Sequence, residues 1–364
     1  DLAGMIFGLL KHRPAPGIYN AVNTGQARWY EFAKAIIAEA GVNHNGSLDL
    51  ALQLVDAAVE AEADIVKFQI AIPELVATHH AKKADYQLNN TDTSDSQLEM
   101  IQKLVLKDED FNKISDYCKE KKILFLLSAF DIISFNKLSR WAQPYCKIAS
   151  GELTNTPFLR RVAKARKPII LSTGMSDIFE IGKAIDELLN YGVNKNDLTI
   201  LHCNTEYPTP FSDVNLFAMQ TIKEKFDIKV GYSDHTLGPE VSIAAVALGA
   251  KVIEKHLTLD RSLDGPDHKA SMEPEEFKAM VLSIRNIEQS IGDGIKKPSK
   301  SEIKNINIAR RSIVALKPIK KGEAYNDKNI YPKRPGNGIS PIHWDNVIGK
   351  KAKKDYKENE LIEW

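Results

Sequence analysis

The sequence predicts an α/β protein in which a (β/α)₈ TIM barrel is followed by a small, mostly β domain. From about residue 35, eight short apolar runs alternate with amphipathic helical stretches. This alternation is typical of parallel strands connected by helices, and no GxGxxG turn follows the first strand to favour an open doubly wound sheet. After about residue 292 the composition changes to short β-like runs separated by turns. The chain of 364 residues can hold a barrel of about 250 residues and a small extra domain.

The predicted strands are short and mostly apolar, as expected for strands that are buried on both faces of a parallel sheet. They are 35–39, 65–68, 123–127, 145–148, 169–172, 198–202, 229–233 and 251–256. In the C-terminal part, β-like runs occur at 312–315, 329–331 and 346–348.

Helix start signals lie between the strands. Ser47, Asp108 and Asp177 are candidate N-caps, and Pro274 lies where a first helical turn tolerates proline. The polar segment 71–97 follows the second strand, where we expect a functional loop over the mouth of the barrel. We predict four regions: an atypical N-terminal segment at 1–34, the barrel at 35–291, a linker at 292–304 and the small domain at 305–364.

Composition excludes several classes of function. The 49 Lys and Arg residues nearly balance the 48 Asp and Glu residues, so a nucleic-acid or membrane-surface role has no electrostatic support. The three cysteines are widely spaced, which argues against a disulfide framework and favours a reducing cytoplasm. No apolar run is long enough to span a membrane, and the N-terminus does not read as a signal peptide.

Nearly every predicted strand ends in a polar residue, and a TIM barrel has its active site at the C-terminal ends of its strands. Two buried lysines and several hydroxyls that converge on one mouth describe a site for phosphate or carboxylate. No glycine-rich phosphate loop is present. The strand-end residues are Glu39, Lys67, Gln69, Ser128, Lys147, Ser150, Ser172, Thr205, Ser233, His235, Glu254 and His256.

His235 and His256 end the seventh and eighth strands, where two imidazoles could bind one divalent metal ion. Two hydrogen-bonded core histidines are the structural alternative. Glu254 points to the same sheet face as His256 and could be a further ligand or a partner of one. Glu39 could serve as a general acid or base, or simply pair with a lysine.

The same residues make the chain resemble the sialic acid synthase family. The matching stretches are IAEAGVNHNG (37–46), VKFQ (66–69), YQ (86–87), KIASGE (147–152), LSTGM (171–175), LHCNTEYPTP (201–210), GYSDHT (231–236), EKH (254–256) and GPDH (265–268). KRPGNG (333–338) resembles the signature of that family's antifreeze-like (SAF) domain. The resemblance runs from about residue 36 to 362.

The resemblance implies N-acetylneuraminate synthase activity, in which phosphoenolpyruvate and N-acetylmannosamine condense with water and release phosphate. It implies Glu39, Lys67 and Lys147 as catalytic residues. A phosphoenolpyruvate site would consist of Lys67, Ser128, Lys147, Ser150, Ser172, Thr205 and Ser233. Gln69, Tyr207 and Asp267 would contact the amino sugar. His235 and His256 would bind a divalent metal, Mn²⁺ first, with Mg²⁺ or Co²⁺ as alternatives.

The resemblance also implies a homodimer with swapped SAF domains, in which Arg334 reaches the barrel of the partner subunit. Two alternatives stay open: a synthase for N,N'-diacetyllegionaminate or another nonulosonic acid, and a catalytically impaired sugar-binding protein.

Three features depart from the family pattern. Ser128 in LSAF (127–130) replaces a threonine hydroxyl, which would weaken phosphate binding. Glu62 stands where a helix-ending glycine is usual, and this costs on the order of 1 kcal/mol if the position needs a positive φ. Residues 1–34 instead resemble a dTDP-4-dehydrorhamnose reductase fragment, through GIYNAVNTG (17–25) and WYEF (29–32).

Overall fold

The structure is a computed structural model that describes residues 35–91 and 94–364. The chain divides into two compact units, the first ending at Ile291 and the second spanning Gly292–Trp364. The predictions for residues 1–34 lie outside the described residues.

The first unit is built on eight strands that lie side by side in chain order and close into a barrel. All neighbouring strands, including the first and the last, are parallel. This confirms the predicted fold class, and each strand lies within two residues of its predicted bounds. The strands are β1 (Ala35–Gly41), β2 (Ile65–Ile70), β3 (Leu124–Ala129), β4 (Cys146–Ile148), β5 (Ile169–Ser172), β6 (Leu198–His202), β7 (Lys229–Asp234) and β8 (Val252–His256).

Helices occupy the segments that connect the strands, and a long helix follows β8. In chain order they are α1 (Leu48–Glu60), α2 (Pro73–Val76), α3 (Asp85–Asn90), α4 (Gln97–Leu104), α5 (Asp108–Lys121), α6 (Ile132–Lys137), α7 (Thr156–Ala163), α8 (Ile178–Asn190), α9 (Phe217–Phe226), α10 (Glu240–Ala247) and α11 (Pro274–Ser290). Within the described residues, no helix is both long and apolar enough to cross a bilayer.

Two of the three predicted helix caps are confirmed. The Ser47 and Asp177 side chains accept hydrogen bonds from backbone N–H groups in the first turns of α1 and α8. The prediction for Asp108 was wrong, because Lys107 is the N-cap and Asp108 is the first residue of α5. The Asp108 carboxylate instead pairs with Lys137.

The barrel interior has an apolar layer beneath a polar one. Alternation along each strand sends every second side chain inward. The apolar layer comprises Ala35, Ile37, Ile65, Leu126, Ile170, Leu201 and Val252. Two residues further along the strands, the inward positions are Glu39, Lys67, Ser128, Ser172, Cys203 and Glu254. The apolar layer therefore fills the interior of the barrel towards the N-terminal ends of the strands. The polar residues lie on top of it and form the floor of the mouth at the C-terminal ends.

The polar segment after β2 is more ordered than a loop. It contains α2 and α3, and α4 begins at its end. Asn90 Nδ2 donates to the Pro266 carbonyl, and Lys269 Nζ donates to the Asn89 carbonyl. These bonds attach the segment to the loop that follows β8, above the polar end of the barrel.

Glu62 follows α1 and has a φ of 58°, so its position does need the left-handed conformation. We expect Glu62→Gly to raise the free energy of unfolding by about 1 kcal/mol, because glycine adopts this conformation without a Cβ clash. Urea unfolding measures the change. The matched control is Glu60→Gly, inside α1, which should lower the same quantity by about 1 kcal/mol. Equal destabilisation by both variants would contradict the assignment.

The second unit contains α12 (Lys300–Ala309), the antiparallel strands β9 (Ser312–Ala315) and β10 (Ile330–Lys333), and α13 (Trp344–Val347). The helix α12 begins inside the segment that was predicted as a linker. The predicted strand at 346–348 was wrong. Trp344, Val347 and Ile348 are spaced as on one face of a helix, and all three belong to the apolar core of this unit.

Candidate active site

Strand register brings the polar strand ends to one level of the barrel. Glu39 lies opposite Lys67 on one side and His256 on the other. Ser128 lies opposite Gln69 and Lys147. Residues that are far apart in sequence therefore meet around one mouth, because the parallel strands are in matching register.

Two lysines and two glutamates form a buried ionic group. Lys67 Nζ lies 3.1 Å from Glu39 Oε2 and 3.0 Å from Glu254 Oε2. Lys147 Nζ lies 3.5 Å from Glu254 Oε1. All four side chains are nearly inaccessible to solvent. Glu254 thus bridges both lysines, and the group as a whole is close to neutral.

The two carboxylates have opposite pKa shifts. Burial alone would raise the pKa of Glu254, but Lys147 and Lys67 outweigh it and lower this pKa to about 2. Burial raises the pKa of Glu39 above its usual value, and Lys67 only partly opposes it. Glu254 is therefore a permanent anion, whereas Glu39 is the carboxylate suited to exchange a proton.

The two lysines also have opposite pKa shifts. Burial lowers the pKa of Lys147 to about 8, since Glu254 compensates only in part. For Lys67 burial also acts to lower the pKa, but the charges of Glu254 and Glu39 exceed it and raise the pKa. Both lysines are thus cationic at neutral pH, and Lys147 is the one closer to losing its proton.

Glu254 had been considered as a metal ligand or as a partner of His256. The structure instead directs its carboxylate to the lysines and to Ser233 Oγ, which donates to Glu254 Oε1 over 3.0 Å. The counter-ion role could not be predicted, because strand alternation gives only the face of a residue and not its partner.

Three further predicted anion-site hydroxyls surround the ionic group. Lys147 Nζ donates to Ser172 Oγ over 2.8 Å, and Ser128 Oγ is 3.4 Å from the Lys147 carbonyl. Ser150 Oγ accepts a hydrogen bond from the Gly174 N–H and lies 3.3 Å from Cys203 Sγ. Cys203 was not predicted, although its position two residues after Leu201 marks it as inward-facing.

Gly174 holds Ser150 and Thr205 in place. A Cβ at this position would lie 2.5 Å from Thr205 Cγ2 and 3.0 Å from Ser150 Oγ. Contacts this short force the neighbouring side chains to move. Only glycine allows both hydroxyl-bearing residues to approach the same loop.

We expect Gly174→Ala to raise KM for the anionic substrate by about tenfold, which corresponds to ~1.4 kcal/mol, because it displaces Ser150 and Thr205. Steady-state kinetics measures this. The matched control is Gly151→Ala, in the 3₁₀ turn that begins at Ser150, where an added Cβ meets no atom within 4 Å. An unchanged KM in the Gly174→Ala variant would show that the two hydroxyls do not contact that substrate.

The two histidines face one another across the mouth. Their ring centroids are 5.5 Å apart. Burial lowers the pKa of His235 to about 4 and that of His256 well below its usual value, so both imidazoles are neutral. His235 Nδ1 donates to the Asn204 carbonyl, which leaves Nε2 with a lone pair that accepts from Tyr207 O–H over 3.0 Å.

These two side chains fit a divalent metal ion. Neutral imidazole is the common metal-binding form of histidine, and a hydrogen bond to the other ring nitrogen is a frequent supporting contact. His256 Nδ1 is buried without a hydrogen-bond partner, 3.9 Å from Asp267 Oδ2. Within the described ranges, no three His, Cys, Asp or Glu side chains are grouped to hold a metal. The remaining ligands would therefore have to be water or substrate.

The predicted sugar-binding residues of the barrel lie at the same mouth. Gln69 Nε2 donates to Glu39 Oε1 over 2.9 Å. Tyr207 stacks on His235 with ring centroids 4.1 Å apart. Burial, and secondarily Glu39, raises the pKa of Asp267 to about 7.

Tyr86 was not assigned a role from the sequence. Its ring stacks on Tyr207 with the centroids 5.0 Å apart, so α3 contributes to the wall of the mouth. Arg334 lies in the second unit, where it is exposed and its Nε donates to the Ala309 carbonyl.

The sequence pattern of the NeuB family matches residues 54–296, which is more than half of the chain, and that of the SAF domain matches residues 310–364. The chain belongs to the NeuB family.

Relatives of this NeuB-family enzyme include two N,N'-diacetyllegionaminic acid synthases. The one from Campylobacter jejuni is 52% identical over 90% of this chain and 98% of its own length. The one from Legionella pneumophila is 44% identical over 90% and 93%. Among solved structures, the N-acetylneuraminic acid (sialic acid) synthetase from Leptospira borgpetersenii, in complex with citrate, is 33% identical. Its TM-score is 0.64, and the match covers 74% of this chain and 89% of the other.

These similarities confirm the predicted family, the predicted SAF domain and the prediction of an enzyme. The solved structure is that of a sialic acid synthetase, but it is less similar in sequence than the other two relatives, which do not favour N-acetylneuraminate as the product. The relatives from C. jejuni and L. pneumophila are both N,N'-diacetyllegionaminic acid synthases, and this acid is the alternative product predicted from the sequence.

Proposed function

We propose that this enzyme condenses phosphoenolpyruvate with a 2,4-diacetamido-6-deoxy analogue of N-acetylmannosamine, forming an N,N'-diacetyllegionaminate-type nonulosonic acid and releasing phosphate. The buried pair Lys67 and Lys147, ringed by hydroxyls, is the observation that carries the phosphoenolpyruvate assignment. The similarity to the C. jejuni synthase at 52% identity supports the sugar.

The lysines and hydroxyls would bind the phosphate and carboxylate of phosphoenolpyruvate. Ser128, Ser150, Ser172, Thr205 and Ser233 can donate hydrogen bonds, and the lysines supply charge in a water-poor site, where electrostatic stabilisation is strongest.

The C–C bond would form when C3 of phosphoenolpyruvate attacks the aldehyde carbon of the open-chain sugar. Glu39 would donate a proton to the developing alkoxide, and its raised pKa supports this role because it favours the protonated form that this step needs. Positive charge then builds at C2. The ionised Glu39 takes a proton from the water that adds there, and the tetrahedral intermediate expels phosphate, which leaves the 2-keto acid.

His235 and His256 would hold a divalent cation, with Mn²⁺ proposed first, which when bound polarises the sugar aldehyde. Gln69, Tyr207 and Asp267 would orient the sugar. The stacked rings of Tyr86 and Tyr207 offer an apolar wall, which suits a 6-deoxy sugar.

The decisive experiment measures phosphate release with both sugars, the diacetamido compound and N-acetylmannosamine. We expect release to require phosphoenolpyruvate, sugar and metal together, and to be faster with the diacetamido sugar. A faster rate with N-acetylmannosamine would overturn the sugar assignment, and sugar binding without phosphate release would favour the non-catalytic alternative.

The metal proposal is tested by removal and by content. EDTA should abolish phosphate release, and added Mn²⁺ should restore it. His235→Ala should lose bound metal, whereas the control His79→Ala, an exposed histidine of the segment after β2, should retain it. Full activity in EDTA would refute the metal role.

We also propose a homodimer in which Arg334 of each protomer contacts the sugar in the partner's barrel. Arg334 is exposed and forms no ion pair among the described residues, so its charge is available. Mixing inactive Arg334→Ala and Lys67→Met proteins should restore activity, because a mixed dimer has one intact site. No recovery would contradict the swapped arrangement.

A further inference from the structure

A second cavity lies in the barrel wall at the N-terminal ends of β4 and β5, the opposite end from the polar mouth. It has a volume of about 250 Å³. Its lining comes from the C-terminal parts of α6 and α7 and from the segments that enter β4 and β5. It shares no residue with the proposed catalytic group.

Three cations line this cavity without carboxylate partners. They are Arg161, Lys164 and Lys167. Arg161 Nε bonds only the amide of Asn136, and Lys167 Nζ donates to the Gln143 carbonyl. Within the part of the chain that the structure describes, none of the three forms an ion pair, unlike the neighbouring Arg160, which pairs with Glu187. The cavity therefore carries uncompensated positive charge.

Gln143 adds a buried donor that has no partner. Gln143 lines the cavity, the residue is only 5% exposed, and its Nε2 is inaccessible to solvent. Gln143 Oε1 accepts a hydrogen bond from the Leu127 N–H over 2.7 Å, but Nε2 has no hydrogen-bond partner. A buried amide left unpaired costs about 1–3 kcal/mol. An anion in the cavity would neutralise the three cations.

The volume of the cavity limits the size of its ligand. It is below the ~300–1,000 Å³ that is usual for drug-sized molecules. Phe135 and Leu138 form an apolar part of the lining, which leaves room for a short uncharged body beside the anionic group. Three cations, including the planar fork of an arginine, suit a phosphate dianion.

We propose that this cavity is a second anion site that binds a phosphate group, as orthophosphate or a small phosphomonoester. Arg161, Lys164 and Lys167 are the donors. The Gln143 amide substitutes for strand pairing at Leu127, next to Ser128, where β3 and β4 share the register pair Ser128 and Lys147.

Equilibrium dialysis with radiolabelled orthophosphate at constant ionic strength tests the site. The critical variant is Gln143→Glu, which keeps the acceptor for Leu127 but places a negative charge beside the cavity, where it repels an anion. We expect it to bind one phosphate fewer per protomer than the wild type. The control Gln289→Glu adds the same charge at an exposed position and should bind as the wild type does. Equal stoichiometry in the wild type and Gln143→Glu would overturn the proposal.

A second variant tests the site at an exposed position, where substitution should not disturb folding. Lys164 is exposed, so Lys164→Gln should leave the fold intact and raise Kd at the Gln143-dependent site by about tenfold. An unchanged Kd would count against the site. Competition with glycerol 3-phosphate distinguishes the sources: displacement indicates a phosphomonoester, and its absence indicates free orthophosphate. Since no turnover is measured, failure here is distinct from failure of the proposed function.

Discussion

Lys67→Met is expected to reduce kcat/KM by about 10²–10³-fold and to lower the free energy of unfolding by about 3–5 kcal/mol. Lys67 lies between Glu39 and Glu254, so its removal leaves two buried carboxylates facing one another without the shared cation. The loss of its charge also removes a donor to the proposed phosphoenolpyruvate site. Steady-state kinetics and urea unfolding measure the two effects.

The control is Lys119→Met, which breaks an exposed ion pair with Asp116 and should change stability by less than about 1 kcal/mol. Adding Glu39→Gln to Lys67→Met should recover part of the lost stability, because one repelling charge is removed. Unfolding of Lys67→Met at the wild-type urea concentration would show that the buried ionic group does not stabilise the barrel.

Glu39→Gln is expected to lower kcat by about 10²–10⁴-fold, the usual contribution of a general acid–base, without loss of stability. Glutamine retains the oxygen that accepts from Gln69, but it cannot transfer a proton. The pKa of Glu39 is raised in the folded protein, so its contribution to stability is present below the unfolded pKa and is lost as pH rises through the folded pKa. At neutral pH, replacement by a neutral group is therefore neutral or stabilising.

The pH profile separates proton transfer from a structural role. The wild-type rate should fall as pH rises through the pKa of Glu39, because the first step needs the protonated form, and this limb should be missing in Glu39→Gln. The exposed Glu62→Gln should retain the wild-type profile. A Glu39→Gln variant with the wild-type kcat would exclude the proton-transfer role.

The barrel and most of its polar mouth could be predicted from the sequence because both depend on periodicity. Their positions at the ends of buried strands identified Glu39, Lys67, Ser128 and Ser172 as candidate site residues, and the closed barrel brings such positions together. The ion-pair and hydrogen-bond partners of the strand-end residues could not be predicted in this way. The partners of Glu254 are Lys67, Lys147 and Ser233, and these contacts depend on how the strands are arranged across the barrel and on side-chain rotamers.

The other wrong or missing predictions have local causes. Asp108 is the preferred N-cap by residue type, but α5 begins one residue earlier than this preference predicts, because such preferences do not fix a helix boundary to a single residue. The run at 346–348 is too short for its period to be recognised. Tyr86 reaches the mouth through α3, whose position depends on bonds to the loop after β8. Gln143 precedes β4 and gave no signal, since an unsatisfied amide is visible only in three dimensions.

The carboxylate that bridges the two lysines implies that substrate binding is linked to proton uptake. The free site is already close to electrically neutral, so phosphoenolpyruvate bound there as proposed would bring negative charge that the lysines cannot fully offset. The added charge raises the pKa of Glu39 further, and a proton should enter with the ligand. Calorimetric binding enthalpies should then depend on the ionisation heat of the buffer, and affinity should weaken as the solution becomes more alkaline.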